Sequence, residues 1–338
     1  MKGSHARAPK HATIREVAAA AGVSTSTVSR AFSRPELLSA ATVERVQREA
    51  ERLAYVPNQS ARALSTGLRQ AVALIVPDVA NPFFPPLIRG VERRCDELGI
   101  SVLLGDTDET ADKETQLATK LAAQSDGVIL AAPRSSEEVL RRLAESTPVV
   151  LVNRDLDDVP RVLIDSASGM RSAVEHLATL GHDQIAYASG PSGSWADDQR
   201  RQAVRSAARR HKVRVTNLKA SRPTFEAGMA LAPDLAASDC SAVIAFDDVL
   251  AQGIIAGLQR QGVRVPADLS VIGCDDLLAA TTYPSLTAIG ADIGEAGRRA
   301  VDQLMAVINS GDTDAGEAVT MDTHLAVRDS TAAPRTGQ

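Results

Sequence analysis

Residues 13–32 read Thr-Ile-Arg-Glu-Val-Ala-Ala-Ala-Ala-Gly-Val-Ser-Thr-Ser-Thr-Val-Ser-Arg-Ala-Phe, and residues 55–65 read Tyr-Val-Pro-Asn-Gln-Ser-Ala-Arg-Ala-Leu-Ser. Thr13 and Glu16 have the spacing of a capping box, so a helix is expected to start at Ile14. Ile14, Val17, Ala18 and Ala21 then share one face at helical spacing. Gly22 should end that helix, because glycine enters the left-handed conformation at little cost. Ser24 is a good N-cap for a second helix, in which Val28 and Phe32 are expected to face inward. Thr25, Ser26, Ser29 and Arg30 are left outside as a short polar face. Val43, Val46, Ala50 and Leu53 mark a third amphipathic helix, with Ser39 as its expected cap.

Two short helices joined by a tight turn, the second carrying hydroxyls and an arginine outward, suit entry into a DNA major groove. A generic small helical bundle is the bland alternative. The turn Ala-x-x-x-Gly-Val-Ser with a hydroxyl-rich helix behind it argues against that reading.

Charge is divided unevenly along the chain. Up to Arg69 there are eleven Lys/Arg against five Asp/Glu (net +6); the remainder has twenty-six against thirty-seven (net −11), which together give the overall −5. The acidic balance of the whole would argue against nucleic acid, but the basic head reverses that locally. Arg15, Arg34, Arg45, Arg48 and Arg62 are candidates for phosphate contacts, which position a protein without specifying sequence.

The chain has 338 residues, enough for about two or three domains. No apolar run approaches the roughly 20 residues needed to span a bilayer, so no membrane partner is expected. Residues 1–11 are short, polar and basic, without the apolar core of a signal peptide, and read as a disordered arm. Cys95, Cys240 and Cys274 are scattered and odd in number, which fits a reduced cytoplasm rather than a disulfide framework or zinc site. No histidine has ligand spacing, and neither a metal nor a cofactor is expected.

Beyond Arg69 continuous apolar runs occur at 71–76, 101–104, 127–131, 149–152, 162–164, 185–188, 242–246 and 269–273. Such runs suit strands buried on both faces of parallel sheets. Helical segments, among them 87–98, 170–180, 200–210 and 250–261, lie between them and give repeated β-α-β winding. There are more strands than one sheet needs, so two lobes are expected.

With these residues in view, the chain from Thr13 to about Ser330 resembles the LacI/GalR (lactose/galactose repressor) family of bacterial transcription factors. The resemblance implies an all-α helix-turn-helix head and an α/β, two-lobed body of type I periplasmic-binding-protein-like architecture, its parallel sheets covered by helices. The expected organisation is an arm at 1–11, the DNA-binding head at 12–57, a hinge helix and linker at 58–70, the effector-binding and dimerisation body at 71–332 and a tail at 333–338. Lobe 1 is expected at 71–164 and 292–321 and lobe 2 at 165–291 and 322–332, with crossings near Asp165, Ala291 and Asp322. Thr25, Ser26 and Arg30 match the family's base-contacting positions. Asn58 matches the entry to the hinge helix, where Ala61 and Arg62 fall in the part entering the minor groove and Leu64 matches the residue wedged between base pairs. Thr13, Ser24, Thr27 and Ser29 complete the candidate DNA-contact set. Two departures stand out: Thr25-Ser26 is a small pair, and 32–38 is a more apolar loop whose Leu37 or Leu38 packs back on the head or onto a partner.

Ligands of open α/β sheets bind beyond the carboxyl ends of strands. Asn81-Pro82-Phe83-Phe84, Asn153-Arg154-Asp155, Asp165, Phe246-Asp247-Asp248 and Gly273-Cys274-Asp275-Asp276 all stand at such ends. The candidate effector contacts are Phe83, Phe84, Asn153, Arg154, Asp165, Trp195, Arg200, Asp247 and Asp275, with Trp195 either lining the pocket or meeting a partner subunit. The competing reading is plain turn chemistry, since Asp and Asn favour turns anyway. Guanidinium and carboxylate groups suit vicinal hydroxyls, so a sugar or sugar derivative is favoured, with a nucleobase or nucleoside open. The expected function is a sequence-specific transcriptional regulator, a repressor by resemblance, acting as a homodimer on palindromic operator DNA under allosteric control by a small molecule. A solute-binding protein with another output would share the body but not the head. An enzyme is disfavoured by the lack of a phosphate loop, nucleophile elbow or His–carboxylate cluster.

Overall fold

The computed structural model describes residues 12–55, 68–220, 222–310 and 318–335. The chain divides into two compact units, Met1–Gln70 and Ala71–Gln338. The expected arm at 1–11 and the hinge positions Asn58, Ala61, Arg62 and Leu64 lie outside the described residues.

In the first unit, local capping defines the helices. Thr13 Oγ1 and the Glu16 carboxylate exchange the two bonds of a capping box, opening α1 (Ile14–Ala21). Gly22 closes it in the left-handed region at φ 65°. Ser24 caps α2 (Thr25–Ser33) through a 3.1 Å bond accepted from Thr27 N. A 3-10 turn (Pro35–Leu37) leads to Ser39, which caps α3 (Ala40–Arg52). Val17, Ala18, Ala21, Val28, Ala31, Val46 and Ala50 form the core. Ala31, rather than Phe32, is the fully buried partner of Val28; Phe32 is half-buried and packs at 6.1 Å against the Tyr55 ring. Of the two loop leucines, Leu38 joins the core and Leu37 stays 61% exposed.

The second unit alternates strands and helices. Its first half runs β1 (Ala71–Val76), α4 (Phe84–Glu97), β2 (Ser101–Asp106), α5 (Ala111–Ala122), β3 (Gly127–Ala131), α6 (Glu137–Ser146), β4 (Val149–Val152), β5 (Arg161–Ile164) and α7 (Ser166–Leu180). It continues β6 (Gln184–Ser189), α8 (Trp195–His211), β7 (Arg214–Lys219), α9 (Phe225–Ala236), β8 (Ala242–Ala245), α10 (Asp248–Arg260), β9 (Ser270–Asp275), β10 (Thr287–Gly290), α11 (Ile293–Ser310), β11 (Val319–Met321) and β12 (His324–Ala326).

Two six-stranded sheets result, ordered β11-β5-β4-β3-β1-β2 and β12-β10-β9-β8-β6-β7. All neighbours pair in parallel except β10 with β12, whose antiparallel register is set by Ile289 opposite Leu325. The chain passes between the sheets after β5, after β10 and between β11 and β12. Central strands β1, β3, β4 and β8 are buried throughout, as expected when helices cover both faces. In the first lobe α4 and α11 touch backbone to backbone: a Cβ on Gly90 would lie 2.0 Å from the Gly294 carbonyl. The parallel winding turns the carboxyl ends of all strands but β12 to one edge of each sheet, and that edge is where the polar residues gather.

Candidate functional site

The outward face of α2 holds the first candidate surface. Thr25, Ser26 and Arg30 are exposed, and Thr27 and Ser29 half-buried. The Ser24 hydroxyl is engaged with Ser26 Oγ at 2.7 Å and Thr27 Oγ1 at 2.9 Å, while Ser33 Oγ bonds back to the Ser29 carbonyl. The Ser24 hydroxyl therefore shapes the start of the helix, and Thr25, Ser26 and Arg30 are the exposed groups of that face, Ser26 with its hydroxyl shared with Ser24. Arg15, Arg30, Arg34 and Arg45 are exposed and form no ion pair among the described residues, whereas Arg48 is paired with Glu44 at 2.9 Å. That surface pair is weak enough not to withhold Arg48 from phosphate.

The second candidate lies in the body, where strand ends of both sheets face one cleft of about 390 Å³, partly open to solvent. From the first sheet come Asn81, Phe83 and Phe84 after β1, Glu109 after β2, Ala132 and Arg134 after β3, and Asn153 after β4. From the second come Ser194 and Ala196 before and on α8, Arg200, Pro223, Phe246, Asp247 and Asp275. Phe83 and Phe84 pack edge-on at 5.1 Å. Asn81 ties the lobes together: its Oδ1 accepts from Phe83 N at 2.9 Å and its Nδ2 donates to Asp247 Oδ2 at 3.1 Å. Arg222 and Asp108 add a second tie at 2.7 Å.

Arg200 is the buried centre of the second wall. It donates to the Phe246 carbonyl and, at 3.3 Å, to Asp275 Oδ1, and its guanidinium lies 4.7 Å from the Phe246 ring centroid. The helix carrying it is anchored by Asp197, which accepts from Tyr187 Oη at 2.9 Å and Gly190 N at 2.7 Å. Across the cleft Arg134 forks onto Glu109 (2.6 and 3.2 Å) and reaches the Ala132 carbonyl. Glu114 fixes that loop by accepting from Arg134 N and Ser135 N. Glu109, Ala132, Asn153 and Asp275 all have positive φ (58°, 44°, 56° and 97°). Backbone strain of about 1–3 kcal/mol per residue persists only where surroundings enforce it, and here it gathers at the cleft. Asn153 Oδ1 and Arg200 Nε are buried without a hydrogen-bond partner.

Burial, with the charge of Asp275 added, pushes Asp247 up to about 7, against its bonds from Leu250 N and Asn81 and the charge of Arg200. Asp248 is likewise pushed up to about 7 by burial and then by Asp275, against the two backbone bonds it accepts from Leu277 and Leu278. Burial also raises Asp275, which Arg200 partly offsets. For Arg200 itself burial works against the charge, yet Cys274, Asp275, Tyr187 and Asp247 outweigh it and hold the group above the ordinary arginine range. Because an unfolded aspartate ionises near 3.8, the fold retains protons between about 4 and 7 that the unfolded chain has lost. Stability from this pair is therefore greatest below that window and falls as pH rises through it. Asp248→Asn keeps the acceptor for Leu277 and Leu278 and should be more stable than the parent at pH 8 by on the order of 2–4 kcal/mol, a gain of several degrees in Tm that vanishes near pH 4. Parallel melting curves across pH check this; equal pH slopes would contradict it.

Six of the nine sequence-predicted effector contacts therefore meet in one cleft: Phe83, Phe84, Asn153, Arg200, Asp247 and Asp275. Three stand outside its lining. Asp165 caps α7 by accepting from Ser168 N at 2.9 Å, and its carbonyl takes the Thr323 hydroxyl, so it secures a passage between lobes. Trp195 is the half-buried first residue of α8, and Arg154 is half-buried in the loop after β4. Glu109, Arg134, Ser194 and Phe246 also line the cleft and were not among the sequence-predicted contacts. Among the described residues no group of three His, Cys, Asp or Glu is placed to hold a metal ion, and no helix is long and apolar enough to cross a membrane. All three cysteines are free and buried.

Comparison with known proteins places both regions. Residues 13–58 match the family described as bacterial regulatory proteins, lacI family, and residues 174–331 match the periplasmic binding protein-like domain. The chain is similar to the HTH-type transcriptional regulator DegA of Bacillus subtilis (strain 168), with 33% identity over 94% of this chain and 98% of the relative. Its structure is similar to that of the transcriptional regulator CelR–cellobiose complex, at 30% identity, TM-score 0.70, and coverage of 94% and 99%. It is also similar to the lac repressor dimer bound to operator and the anti-inducer ONPF, at 25% identity, TM-score 0.84, and coverage of 96% and 100%.

Proposed function

Because the chain belongs to the lacI family of bacterial regulatory proteins, whose named members here are HTH-type transcriptional regulators and repressors rather than enzymes, we propose that it is a cytoplasmic repressor whose operator affinity is set by a small molecule in the cleft. One observation carries the reading. A single chain bears both an exposed, hydroxyl- and arginine-bearing α2 and a partly open cleft with polar groups from two lobes, with Asn153 Oδ1 buried there unpartnered. A buried acceptor without a donor is costly, and a ligand hydroxyl would relieve it.

In this reading two chains form a homodimer and present two heads to the half-sites of a palindromic operator. Ligand selects one arrangement of the lobes, tied by Asn81–Asp247 and Asp108–Arg222, and with it one spacing of the heads. Arg30, with Thr25 and Ser26, reads base edges; Asn58, Ala61, Arg62 and Leu64 belong to a hinge that bends the operator at its centre. The cellobiose bound by CelR supports a saccharide as the ligand class.

Duplexes selected from a randomised pool should share a palindromic motif, and their binding should weaken steeply with salt. Arg30→Ala should cost about 1–3 kcal/mol on the selected motif and relax preference at one base pair. Equal weakening on selected and random DNA would contradict a base-reading role, and failure to select any motif would contradict the function.

A further inference from the structure

The polar groups of the cleft are unequal in kind. Both guanidinium groups are already committed: Arg134 spends its fork on Glu109 and its remaining arm on Ala132, and Arg200 spends two nitrogens on Phe246 and Asp275. Opposite these two cations stand three lining carboxylates, Glu109, Asp247 and Asp275, with Asp248 buried behind them. Asp247 has no cation of its own; Asn81 Nδ2 and Leu250 N are its donors. The unpartnered Asn153 Oδ1 is another acceptor. Arg200 Nε is also unpartnered, but it is a single buried donor, so the cleft offers three carboxylates and Asn153 Oδ1 as acceptors and no free guanidinium fork.

From this imbalance, and resting on the function proposed above, we infer that the ligand is an uncharged or amine-bearing polyhydroxy compound, and that carboxylate and phosphate ligands are rejected through Asp247. A hydroxyl or ammonium can donate to Asp247 and Asn153. An incoming anion would be buried beside Asp247 and Asp275, and a cation could reach it only by breaking a buried pair. Anion sites are instead built with open arginine forks.

The aromatic groups narrow the class further. Phe83 and Phe84 are 7% and 4% exposed, turned edge-on to each other within the first lobe's core, and Phe246 carries Arg200 over its ring. Phe83 and Phe84 leave little ring exposed and Phe246 carries a guanidinium over one face, so stacking surface for a planar base is restricted, which favours a saccharide ring over a nucleoside.

The test uses the full-length protein and matched ligands: D-glucose, D-glucosamine and D-glucuronate; D-ribose and ribose 5-phosphate; and adenosine. Thermal shift identifies stabilisers, and calorimetry at pH 7.5 measures affinity. Any stabiliser should be uncharged or amine-bearing, with its acidic or phosphorylated counterpart weaker by about tenfold or more, the expected penalty for an uncompensated charge at a hydrogen-bonded site. Asp247→Asn keeps one oxygen to accept from Leu250 N as a helix N-cap, gives up the second acceptor used by Asn81 Nδ2, and should shrink that discrimination by about tenfold. Tighter binding of an acid, a phosphate or adenosine than of the uncharged sugars would overturn the inference while leaving the regulator reading intact. Undiminished discrimination in Asp247→Asn would overturn the role given to Asp247. A panel with no stabiliser at all would count against the cleft as a saccharide site and so against both.

Discussion

Arg200→Met is expected to abolish ligand binding and to lower the melting temperature by about 10 °C. The side chain is 3% exposed, and its loss strips the Phe246 carbonyl of a donor, leaves Asp275 buried without its cation and removes a nearby positive charge from Asp247. Breaking a buried pair from one side costs about 3–5 kcal/mol, and each kcal/mol moves Tm by about 2–4 °C in a domain of this size. The loss should shrink at low pH, where Asp275, already raised by burial, takes up a proton. Arg200→Lys restores the charge but not the planar contact with Phe246 or the two-armed geometry, so it should recover stability better than ligand affinity. Calorimetric melting of both variants, with and without the stabilising sugar, checks this; parental melting and binding in Arg200→Met would contradict the cleft assignment.

Removing residues 1–70 should abolish operator binding, a loss of about a thousandfold or more, since specific and non-specific affinity differ by that scale. The cut falls between the two compact units, and the removed part carries α2 with the local net charge of +6 up to Arg69. The cleft residues all lie beyond it, so the truncated body should bind the same sugars with affinity unchanged within about threefold, far less than one lost hydrogen bond to a charged group would cause. Gel-shift and calorimetric titrations of the same preparation check both halves. Residual operator preference in the truncated protein would remove the head from the reading role.

How far the sequence reveals this molecule depends on the range of the interactions. Head helices are legible because their caps act within three residues: Thr13 with Glu16, Ser24 with Thr27, Ser39 with Thr42. Phe32 does pack inward against the head core, but apolar spacing does not show that its ring stays half-buried beside Tyr55 while the small Ala31 is the fully buried residue. In the body, β1, β3 and β4 show as continuous apolar runs because both faces are covered. Edge strand β7, Arg-Val-Thr-Asn-Leu-Lys, is exposed except for the half-buried Val215 and Leu218 and carries no such signal, while β11 and β12 are three residues each. The strand-end rule finds Asn153, Asp247 and Asp275 but equally flags Asp165, whose carboxylate serves as a cap. Glu109 and Arg134 escape it because their ion pair joins two separate loops, a relation that no local pattern records.

The central claim is that the cleft and the operator share one conformational equilibrium. Its most direct measurement is a reciprocal titration: operator Kd at zero and saturating sugar, and sugar Kd with and without saturating operator. The account predicts equal factors in the two directions, within the roughly 5–150-fold range of typical allosteric coupling. Sugar binding that leaves operator Kd unchanged, with the sugar Kd equally indifferent to operator, would contradict it.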